Sequence, residues 1–569
     1  MSRALPQVVV LILLAGLVAG GPAFAANRQT DVGSEDQRLR RPALLEPPPR
    51  VVIPIEIPPE GELPPAGETT PIPVTRVVLD GATRLPPSQA ERFTASAAGK
   101  TMTLAELQTL ARNITRWYRG RGYITSRAVV PAQPVESGVI HVRVIEGKLG
   151  QVAIEGNRYV SDATLRRALR VEPGEILWMP RLESALRGLN EHRDRTVRLV
   201  LSPGQAPETT DVLLRVSDHV PLHAGYTVDT LGTKNTGLIR HTLNASTSNF
   251  SGADDELAAR GILSEFGGLK AGVVSYSRPL LASGLAATLS VSGVKSSVGG
   301  DLKSLDATGS AVTINPGLTM PLVRRAQWEV TADTGFDYTR IRTYLGDVVS
   351  SKDDLRVAHI GGQLLEEDRW GRGAISDQLR VGIPVIMGGS HVKDIAASRG
   401  GAGGSFVAWM LNILRLQRGP FGTSILARAS TQVASDRLVP AEQFRLGGFD
   451  TVRGYPEGEY LADYGYQMSW EWRVPLGWTI PQSVASAAPW LDSTRRTSHA
   501  ALFWDFAEGW LRAPRSNEDG QTRLSGIGFG IRARPTSESL VQVDLGWPVG
   551  DPASEKHQPR VHLTVTIGF

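Results

Sequence analysis

The chain has 569 residues, of which 41% are hydrophobic and 21% are charged, and its formal net charge is +4. This composition excludes a disordered polyelectrolyte, and so small a net charge gives little support to general nucleic-acid binding. The sequence has no cysteine, which excludes disulfide frameworks, thiolate metal sites and cysteine nucleophiles.

Residues 1–25 have the form of a secretory signal peptide. Arg3 supplies a positive charge, residues 8–19 form an apolar run, and residues 23–25 have the small-x-small pattern of a cleavage site. Beyond residue 25 the sequence contains no run of 18 apolar residues that could form a membrane-spanning helix. We therefore expect an exported chain that is either soluble outside the cytoplasm or embedded in a membrane as a closed β-barrel.

Two segments of unusual composition follow the signal peptide. In the first, residues 26–46, the polar stretch 34–45 predicts a short helix that is broken or kinked at Pro42, with a disordered tail as the alternative. In the second, residues 47–73, ten of 27 residues are proline, which rules out regular helix or sheet. This second segment is predicted to run as an extended linker.

An internal repeat follows the linker. The short strand sequence at residues 77–81 recurs 75 residues later at 152–156, and both copies continue with helical sequence and two further strands. In the first copy, Thr103 and Glu106 form a capping box that begins a helix. The repeat predicts two β-α-α-β-β modules, at residues 74–149 and 150–218. Their last two strands are predicted at residues 123–130 and 139–146, and at residues 196–202 and 211–216.

From residue 219 onward, apolar and polar residues alternate with period two. Examples are residues 327–338, 464–474 and 561–569, where aromatic and aliphatic side chains occupy one face. About sixteen such segments of about ten residues each fit into the remaining chain. A soluble β-sandwich would also alternate, but long strands with regular large aromatic residues are typical of outer-membrane barrels. The sequence predicts a 16-stranded antiparallel transmembrane β-barrel over residues 219–569.

Several motifs resemble a single family, the two-partner secretion transporters of the outer membrane, which includes the haemolysin and filamentous-haemagglutinin activators. The most specific is residues 444–455, whose sequence FRLGGFDTVRGY is similar to the family's long loop, which folds back into the barrel. Residues 121–124 resemble the end of the first periplasmic module, of the POTRA type, and residues 503–505 resemble a Phe-x-Asp-x-Gly strand motif. Ala507 stands where the family has glycine. The terminal Phe569 resembles an outer-membrane insertion signal.

The resemblance also implies candidate site residues. It implies a gating motif at the loop tip, made of Val452, Arg453, Gly454 and Tyr455. Asp505 on the inner wall would hold the Arg453 guanidinium through paired, charge-assisted hydrogen bonds. Gly447 and Gly448 would act as hinges of the loop. The alternatives are that the two charges are ordinary loop and lumen groups, or that their pair only stabilises the loop.

The POTRA modules of such a protein are expected to bind an unfolded client by strand addition, in which an extended segment pairs with an exposed sheet edge. The candidate client-binding residues are Tyr123, Ile124, Val197 and Leu199. The alternative is that these strand edges are exposed but do not bind a client. The resemblance also implies a candidate plug of the pore in residues 26–46.

Together these features predict a pore in the outer membrane, with its modules in the periplasm, that moves an exoprotein partner to the cell surface or medium. The expected partners are the exoprotein, membrane lipid and the barrel assembly machinery; the pore is expected to be monomeric and to bind no nucleic acid. The alternatives are an assembly factor for outer-membrane barrels, a passive porin and a barrel enzyme. The sequence has no His-Glu-x-x-His, Gly-x-Ser-x-Gly or Walker motif, so no catalytic residue, metal site or cofactor is predicted.

Overall fold

The computed structural model describes residues 32–41, 46, 55–56, 70–135, 137–192, 194–281, 283–299, 304, 306–325, 327–384, 386–516, 518–551, 554 and 559–568. The predicted signal peptide, most of the predicted linker and Phe569 lie outside the described residues. Within this part of the chain, no helix is long and apolar enough to cross a membrane.

A single helix and two α/β modules come before the barrel. Their elements, in chain order, are α1 (Val32–Arg40), β1 (Ile55–Glu56), β2 (Ile72–Val74), β3 (Arg76–Asp80), α2 (Pro87–Ala95), β4 (Lys100–Met102), α3 (Leu104–Gly120), β5 (Arg127–Val129), β6 (Val139–Ile145), β7 (Lys148–Glu155), α4 (Asp162–Leu169), α5 (Met179–Asn190), β8 (Arg195–Pro203) and β9 (Thr209–Asp218). Two modules with the predicted order of strands and helices are therefore present, and the first carries the additional short pair β2–β4.

The first module folds around one amphipathic helix. The capping box predicted at the start of α3 is present: the Thr103 hydroxyl accepts from the Glu106 amide at 3.3 Å, and the Glu106 carboxylate accepts from the Thr103 amide at 2.7 Å. The apolar face of α3, with Ile114 at its centre, is buried in the module core beneath the sheet β3-β6-β5. Near the end of α3 the Tyr118 hydroxyl donates to the Glu146 carboxylate at 2.7 Å. The apolar face and this buried polar contact thus join α3 to the rest of the module.

Replacing Ile114 with alanine is expected to destabilise the first module by about 2–4 kcal/mol, because a large buried side chain would be replaced by a cavity. Hydrogen–deuterium exchange on the full-length protein would show this as faster amide exchange in α3, β3 and β6. Arg116→Ala, on the exposed face of the same helix, is the matched control. Equal exchange rates in the two variants would contradict the proposed packing.

The second module has its sheet in the order β1-β8-β9-β7. Strand β1 comes from the linker and pairs in parallel with the outer edge of β8, with Ile55 opposite Leu199 and Glu56 opposite Val200. The outer edge of β8 is therefore occupied at two positions by the chain itself.

The strand predicted at residues 123–130 is shorter than expected, and its first half is a turn. Only β5 is a strand, and Tyr123 and Ile124 lie before it. Gly122 shows why: its φ is +92°, and its carbonyl accepts from the Met179 amide of the second module at 2.9 Å. A turn fixed against the neighbouring module cannot continue as a strand. The prediction that Tyr123 and Ile124 lie in an edge strand is therefore wrong.

The rest of the chain forms a closed barrel of sixteen antiparallel strands, which confirms the predicted fold. In chain order the strands after β9 are β10 (Leu222–Asp229), β11 (Arg240–Thr247), β12 (Glu256–Ser264), β13 (Leu269–Pro279), β14 (Ala286–Ser297), β15 (Ala307–Arg324), β16 (Trp328–Leu345), β17 (Val348–Asp368), β18 (Gly371–Gly382), β19 (Phe406–Arg418), β20 (Ser424–Ala434), β21 (Phe444–Leu446), β22 (Tyr460–Ala462), β23 (Tyr464–Pro475), β24 (His499–Trp510), β25 (Gln521–Ala533), β26 (Leu540–Pro548) and β27 (Arg560–Gly568). Strands β21 and β22 lie outside the barrel sheet, and β10 pairs with β27 to close it. Helices α6 (Gln482–Ala485) and α7 (Pro489–Thr497) connect β23 to β24.

The modules lie at one end of the barrel. There the Arg324 guanidinium donates to the Glu191 carboxylate at 2.7 Å, and the Asn249 amide donates to the Tyr159 carbonyl at 2.7 Å. Strand β10 begins directly after the second module, at this end of the barrel. Neighbouring strands are antiparallel, so β20, ten places further in the barrel order, also runs away from the modules. The long connection after β20, residues 435–463, therefore starts at the end opposite the modules.

Candidate functional site

The connection between β20 and β23 folds back into the barrel. Its two arms pair as the hairpin β21–β22, and its tip lies between them. At the tip, Val452 and Tyr455 are fully buried and belong to one apolar cluster with Ala507 and Leu524 of the wall. The segment whose sequence resembles the family's long loop therefore lies inside the lumen.

Glycine allows the tip to lie directly against the wall. Gly454 has a φ of +99°, and a Cβ atom there would lie 2.8 Å from the backbone carbonyl carbon of Trp547. On the facing wall, a Cβ atom on Gly526 would lie 2.0 Å from the Arg453 carbonyl oxygen. A side chain at either glycine would push the tip off the wall.

The turn into the tip uses the two predicted hinge residues. Gly447 and Gly448 have φ values of +90° and +111°, a backbone region that favours glycine. The Phe449 amide that follows them donates to the Glu457 carboxylate at 2.8 Å. These contacts account for the shape of the turn, and movement about the two glycines stays a prediction.

The Arg453 side chain points into the wall and is 1% exposed. Its Nε and Nη2 atoms donate to the two carboxylate oxygens of Asp505 at 2.8 and 2.9 Å, and its backbone amide donates to the same carboxylate at 3.0 Å. The guanidinium carbon lies 3.5 Å from the centre of the Phe503 ring. Asp505 is fully buried and also accepts from the Ser469 hydroxyl at 2.6 Å. The arginine and its predicted partner are thus in direct contact.

Three further charged side chains, which sequence patterns do not single out, complete this cluster. Glu471 accepts from Arg453 Nη1 at 2.8 Å, and an Asp544 oxygen lies 3.7 Å from the same nitrogen. Arg532 donates to Glu471 at 2.8 Å and to Asp544 at 3.1 Å. The alternation of apolar and polar residues in β23 could have indicated Glu471, because it places this residue on the polar face that points into the lumen. We call these five residues the loop network: Arg453, Glu471, Asp505, Arg532 and Asp544.

The electrostatics of the loop network favour a charged arginine. Burial by itself would lower the pKa of the Arg453 guanidinium, but the carboxylates of Asp505, Glu471 and Asp544 outweigh it, and the pKa is raised. Burial raises the pKa of the Tyr455 hydroxyl to about 12, and this hydroxyl donates to a backbone carbonyl at 2.8 Å. Both groups stay protonated at physiological pH: Arg453 is a cation and Tyr455 is neutral. The charge of the loop tip is therefore constant in this pH range.

Helix α1 also lies inside the barrel. Asp36 is fully buried and accepts from the Ser292 hydroxyl at 2.7 Å and from the Thr313 hydroxyl at 2.8 Å, both on the inner wall. The apolar side chains of the helix pack with inward-facing wall residues. The helix predicted at residues 34–45 is therefore present, at Val32–Arg40, and it occupies part of the lumen.

A second group of buried charges joins α1 to the wall and to the base of the loop. Arg40 and Arg380 donate to Asp337 at 3.1 and 2.6 Å. Arg41 and Arg380 donate to Glu442 at 3.0 and 2.9 Å. Burial would raise the pKa of the Glu442 carboxyl, but Arg380 and Arg41 lower it to about 2, so the group is ionised. We call these five residues the helix network: Arg40, Arg41, Asp337, Arg380 and Glu442.

The four predicted client-binding residues lie in two different settings. Val197 and Leu199 are on β8, and their side chains are fully buried in the module core. They can offer a client only their backbone, and Leu199 already lies opposite Ile55 of β1. Tyr123 and Ile124 lie in the turn before β5, not on a sheet edge. In the first module the edge near them is β5, which pairs on one side only.

Comparison with known proteins assigns this architecture to a family. The profile of the haemolysin secretion/activation protein ShlB/FhaC/HecB family matches residues 208–533, more than half of the chain. The chain belongs to this family. The profile of the ShlB-type POTRA domain matches residues 72–147 in addition.

Relatives of this ShlB/FhaC/HecB family member are outer-membrane transporters. The outer membrane transporter CdiB of Escherichia coli O6:K15:H31 is 27% identical over 519 residues, which cover 87% of this chain and 85% of CdiB. The heme/hemopexin transporter protein HuxB of Haemophilus influenzae is 22% identical over 476 residues, covering 81% of this chain and 80% of HuxB. The solved structure of CdiB from Escherichia coli shares the fold, with a TM-score of 0.74, 22% identity, and coverage of 96% of this chain and 100% of that one.

Family membership also sets the location of the chain. It is a two-partner secretion transporter of the outer membrane, and its POTRA modules lie in the periplasm. The barrel end that carries the modules is therefore the periplasmic end, and the loop after β20 starts at the extracellular end. Transporters of this family handle exoprotein partners, which favours secretion over the barrel-assembly alternative.

Proposed function

We propose that the chain is a gated pore for an unfolded exoprotein, and that the loop and α1 hold the pore closed at rest. One observation carries this proposal: both elements that fill the lumen are joined to the wall by buried hydrogen bonds and ion pairs, in addition to their apolar contacts. Polar contacts of this kind can be exchanged for water at small net cost, while the strand ladders of the barrel stay intact. The lumen beside the two elements is a cavity of about 640 Å³, whose lining includes the polar side chains of Arg38, Asp333 and Gln378.

A comparison of cells with and without the chain tests this function. We expect one or two large exported proteins to vanish from the culture medium while other outer-membrane barrels keep their amounts. A broad loss of outer-membrane barrels would contradict secretion and support an assembly factor. No change in either fraction would support a passive porin.

We further propose that the client binds the second module by displacing β1 from β8. Strand β1 has two residues and pairs in parallel, the slightly weaker arrangement per residue. A client segment that follows all nine residues of β8 would form more backbone hydrogen bonds than β1 does. Because β1 belongs to the linker that leads to α1, its release would also free the chain that connects the module to the lumen.

Cysteines at Glu56 and Val200 are expected to block secretion when they are oxidised. The two residues are neighbours on parallel strands, about 4.8 Å apart, which is within disulfide reach. The natural chain has no cysteine, so this bridge would be the single disulfide. We expect the client in the medium to fall by about tenfold or more, because the locked form lacks the binding-competent state.

The matched control is Glu56→Cys alone, which cannot form the bridge within one chain. Addition of a reducing agent should restore secretion by the double variant. If the fully oxidised double variant secretes like the control, displacement of β1 is not part of transport.

The closed barrel also bears on how the chain is inserted in the membrane and on its oligomeric state. A closed barrel satisfies its own backbone hydrogen bonds and leaves no strand edge for a second copy, so we propose a monomeric pore in membrane lipid. All sixteen strands must pair before they are stable in lipid, so we propose that the barrel assembly machinery inserts them.

A further inference from the structure

Three glycines lie side by side on the membrane-facing surface of the barrel. Gly261 on β12 is opposite Gly272 on β13, which is in turn opposite Gly293 on β14. Their flanking partners across the sheet are Leu243 on β11 and Val312 on β15, which are 63% and 49% exposed. The row is therefore the floor of a groove that crosses three strands between two apolar walls.

Packing within the protein does not require glycine at these positions. A Cβ atom on Gly261 or Gly293 would meet nothing within 4 Å, and one on Gly272 would meet only the Arg260 carbonyl oxygen at 3.5 Å. Glycine inside a strand costs about 0.5–1 kcal/mol each relative to alanine. What the three glycines create is open space on the outside, a groove of about 550 Å³.

Two lysines lie at the extracellular side of this groove. Lys270 on β13 is directly opposite Lys295 on β14, two residue pairs beyond the glycine row and on the same face of the sheet. Like charges that face each other across a sheet destabilise it. A Cβ atom on Gly267, in the extracellular turn before β13, would lie 3.4 Å from Lys270 Cε, so this side chain reaches toward the rim of the barrel.

Among the described residues, no acidic side chain pairs with either lysine ammonium. In the described part of the chain, neither forms an ion pair or a side-chain hydrogen bond. The basic groups farther round the same rim differ, because Arg342 donates to Asp354 at 2.9 Å and Lys352 lies 3.6 Å from the same carboxylate. Within the described structure, the paired lysines therefore present two positive charges without an acidic partner above an apolar groove.

We propose that this groove binds a phosphate-bearing lipid of the outer leaflet. The lipid phosphate lies between Lys270 and Lys295 and removes their repulsion, as anionic headgroups do for basic residues at a membrane surface. One acyl chain lies across the three glycines between Leu243 and Val312. Because the lysines lie at the extracellular side, the bound lipid belongs to the outer leaflet. The three glycines have no side chains and so leave room for the acyl chain.

Lipid titration of the full-length detergent-solubilised protein tests the proposal, with bound lipid counted by native mass spectrometry. The probe is diphosphorylated lipid A, and lipid A without its phosphates is the reference. We expect Lys270→Gln with Lys295→Gln to weaken binding of the diphosphorylated lipid by about tenfold or more. Lys352→Gln, which removes a rim charge that already has a partner, should bind like wild type.

A second pair of variants tests the groove itself. Gly293→Leu fills the floor without a clash inside the protein and should also weaken binding by about tenfold, since a buried acyl segment loses its contact surface. Ala287→Leu places the same leucine side chain at the periplasmic end of β14 and should bind like wild type. Heat-dependent migration in gels would verify that each variant is folded. Equal affinity for the two lipids, or wild-type affinity in either the lysine variant or Gly293→Leu, would overturn the proposal.

Discussion

Replacing Arg453 with alanine is expected to lower client secretion by about tenfold or more, because we infer that transport needs the loop tip in one defined position. Breaking the buried ion pair that fixes this position costs about 3–5 kcal/mol. The change removes the cation that joins Asp505 to Glu471 and leaves buried carboxylates facing an empty space. The loop tip is then no longer attached to the barrel wall by these hydrogen bonds. The barrel should still reach the outer membrane in near-normal amounts, because the hydrogen bonds between β23, β24 and β25 do not involve this side chain.

Two further variants separate charge from geometry at this position. Arg453→Lys keeps the charge, but an ammonium group cannot bind both Asp505 oxygens and Glu471 in one plane, so an intermediate defect is expected. Arg418→Ala removes an exposed charge at the periplasmic end of β19 and serves as the control. Client in the medium and barrel in the outer membrane are measured together by immunoblot. Normal secretion by Arg453→Ala at normal barrel levels would rule out the role proposed for the arginine.

Deleting residues 32–41 is expected to raise the ion conductance of the pore severalfold, because a 16-stranded barrel encloses an aqueous channel once nothing fills it. The deletion removes α1 and opens the side of the lumen where Asp36 contacts Ser292 and Thr313. Single-channel recording in planar bilayers measures the effect. The loop still occupies its own part of the lumen, so the conductance should stay below that of an empty barrel.

A charge variant tests whether the helix network holds α1 in place. The variant replaces Arg40 and Arg41 of this network, together with Arg38 of α1, with glutamine. It keeps the length of the segment and should give a partly open, fluctuating pore. The control replaces three exposed arginines of the modules, which are Arg112, Arg116 and Arg166. Wild-type conductance after the deletion of α1 would show that the helix does not close the pore.

The helix and the loop tip are coupled through shared charges. Arg38 Nη2 lies 3.4 Å from a Glu457 carboxylate oxygen, and Arg445 also faces this carboxylate, at 3.8 Å. Burial would raise the pKa of Glu457, but Arg38 and Arg445 outweigh it and lower the pKa. If α1 leaves the lumen, Arg445 is the one ion-pair partner left to Glu457 among the described residues, so the tip is less stable without the helix.

The barrel and the helix of the first module could be predicted because their signals are local. Alternation in β16, β23 and β27 reports which face meets lipid, and the capping box at Thr103 reports where α3 begins. Strand β5 shows that local signals fail where a contact with a distant part of the chain sets the backbone conformation. The RGYI segment suits a strand by composition, but the contact of Gly122 with Met179 turns the chain, and that contact comes from another module.

The contact between Arg453 and Asp505 could be predicted only through motif resemblance. The two residues are 52 positions apart, and neither spacing nor periodicity brings them together. Glu471, Arg532 and Asp544 carry no motif, and inward-facing charges occur on many strands of the barrel. Their meeting depends on the strand register, which places Glu471 opposite Phe503 and Ser469 opposite Asp505.

The sequence by itself determined the export signal pattern, the two modules and the number of barrel strands, because composition, periodicity and capping act over a few neighbouring residues. The residues of the loop tip were predicted from the resemblance to the family. The tertiary structure alone decided that α1 occupies the lumen, that β1 covers the edge of β8, and that the loop and helix networks form. The physical reason is that a closed barrel encloses the polar faces of its strands. Buried charges must then find partners among whatever side chains the register and the inserted segments bring within reach.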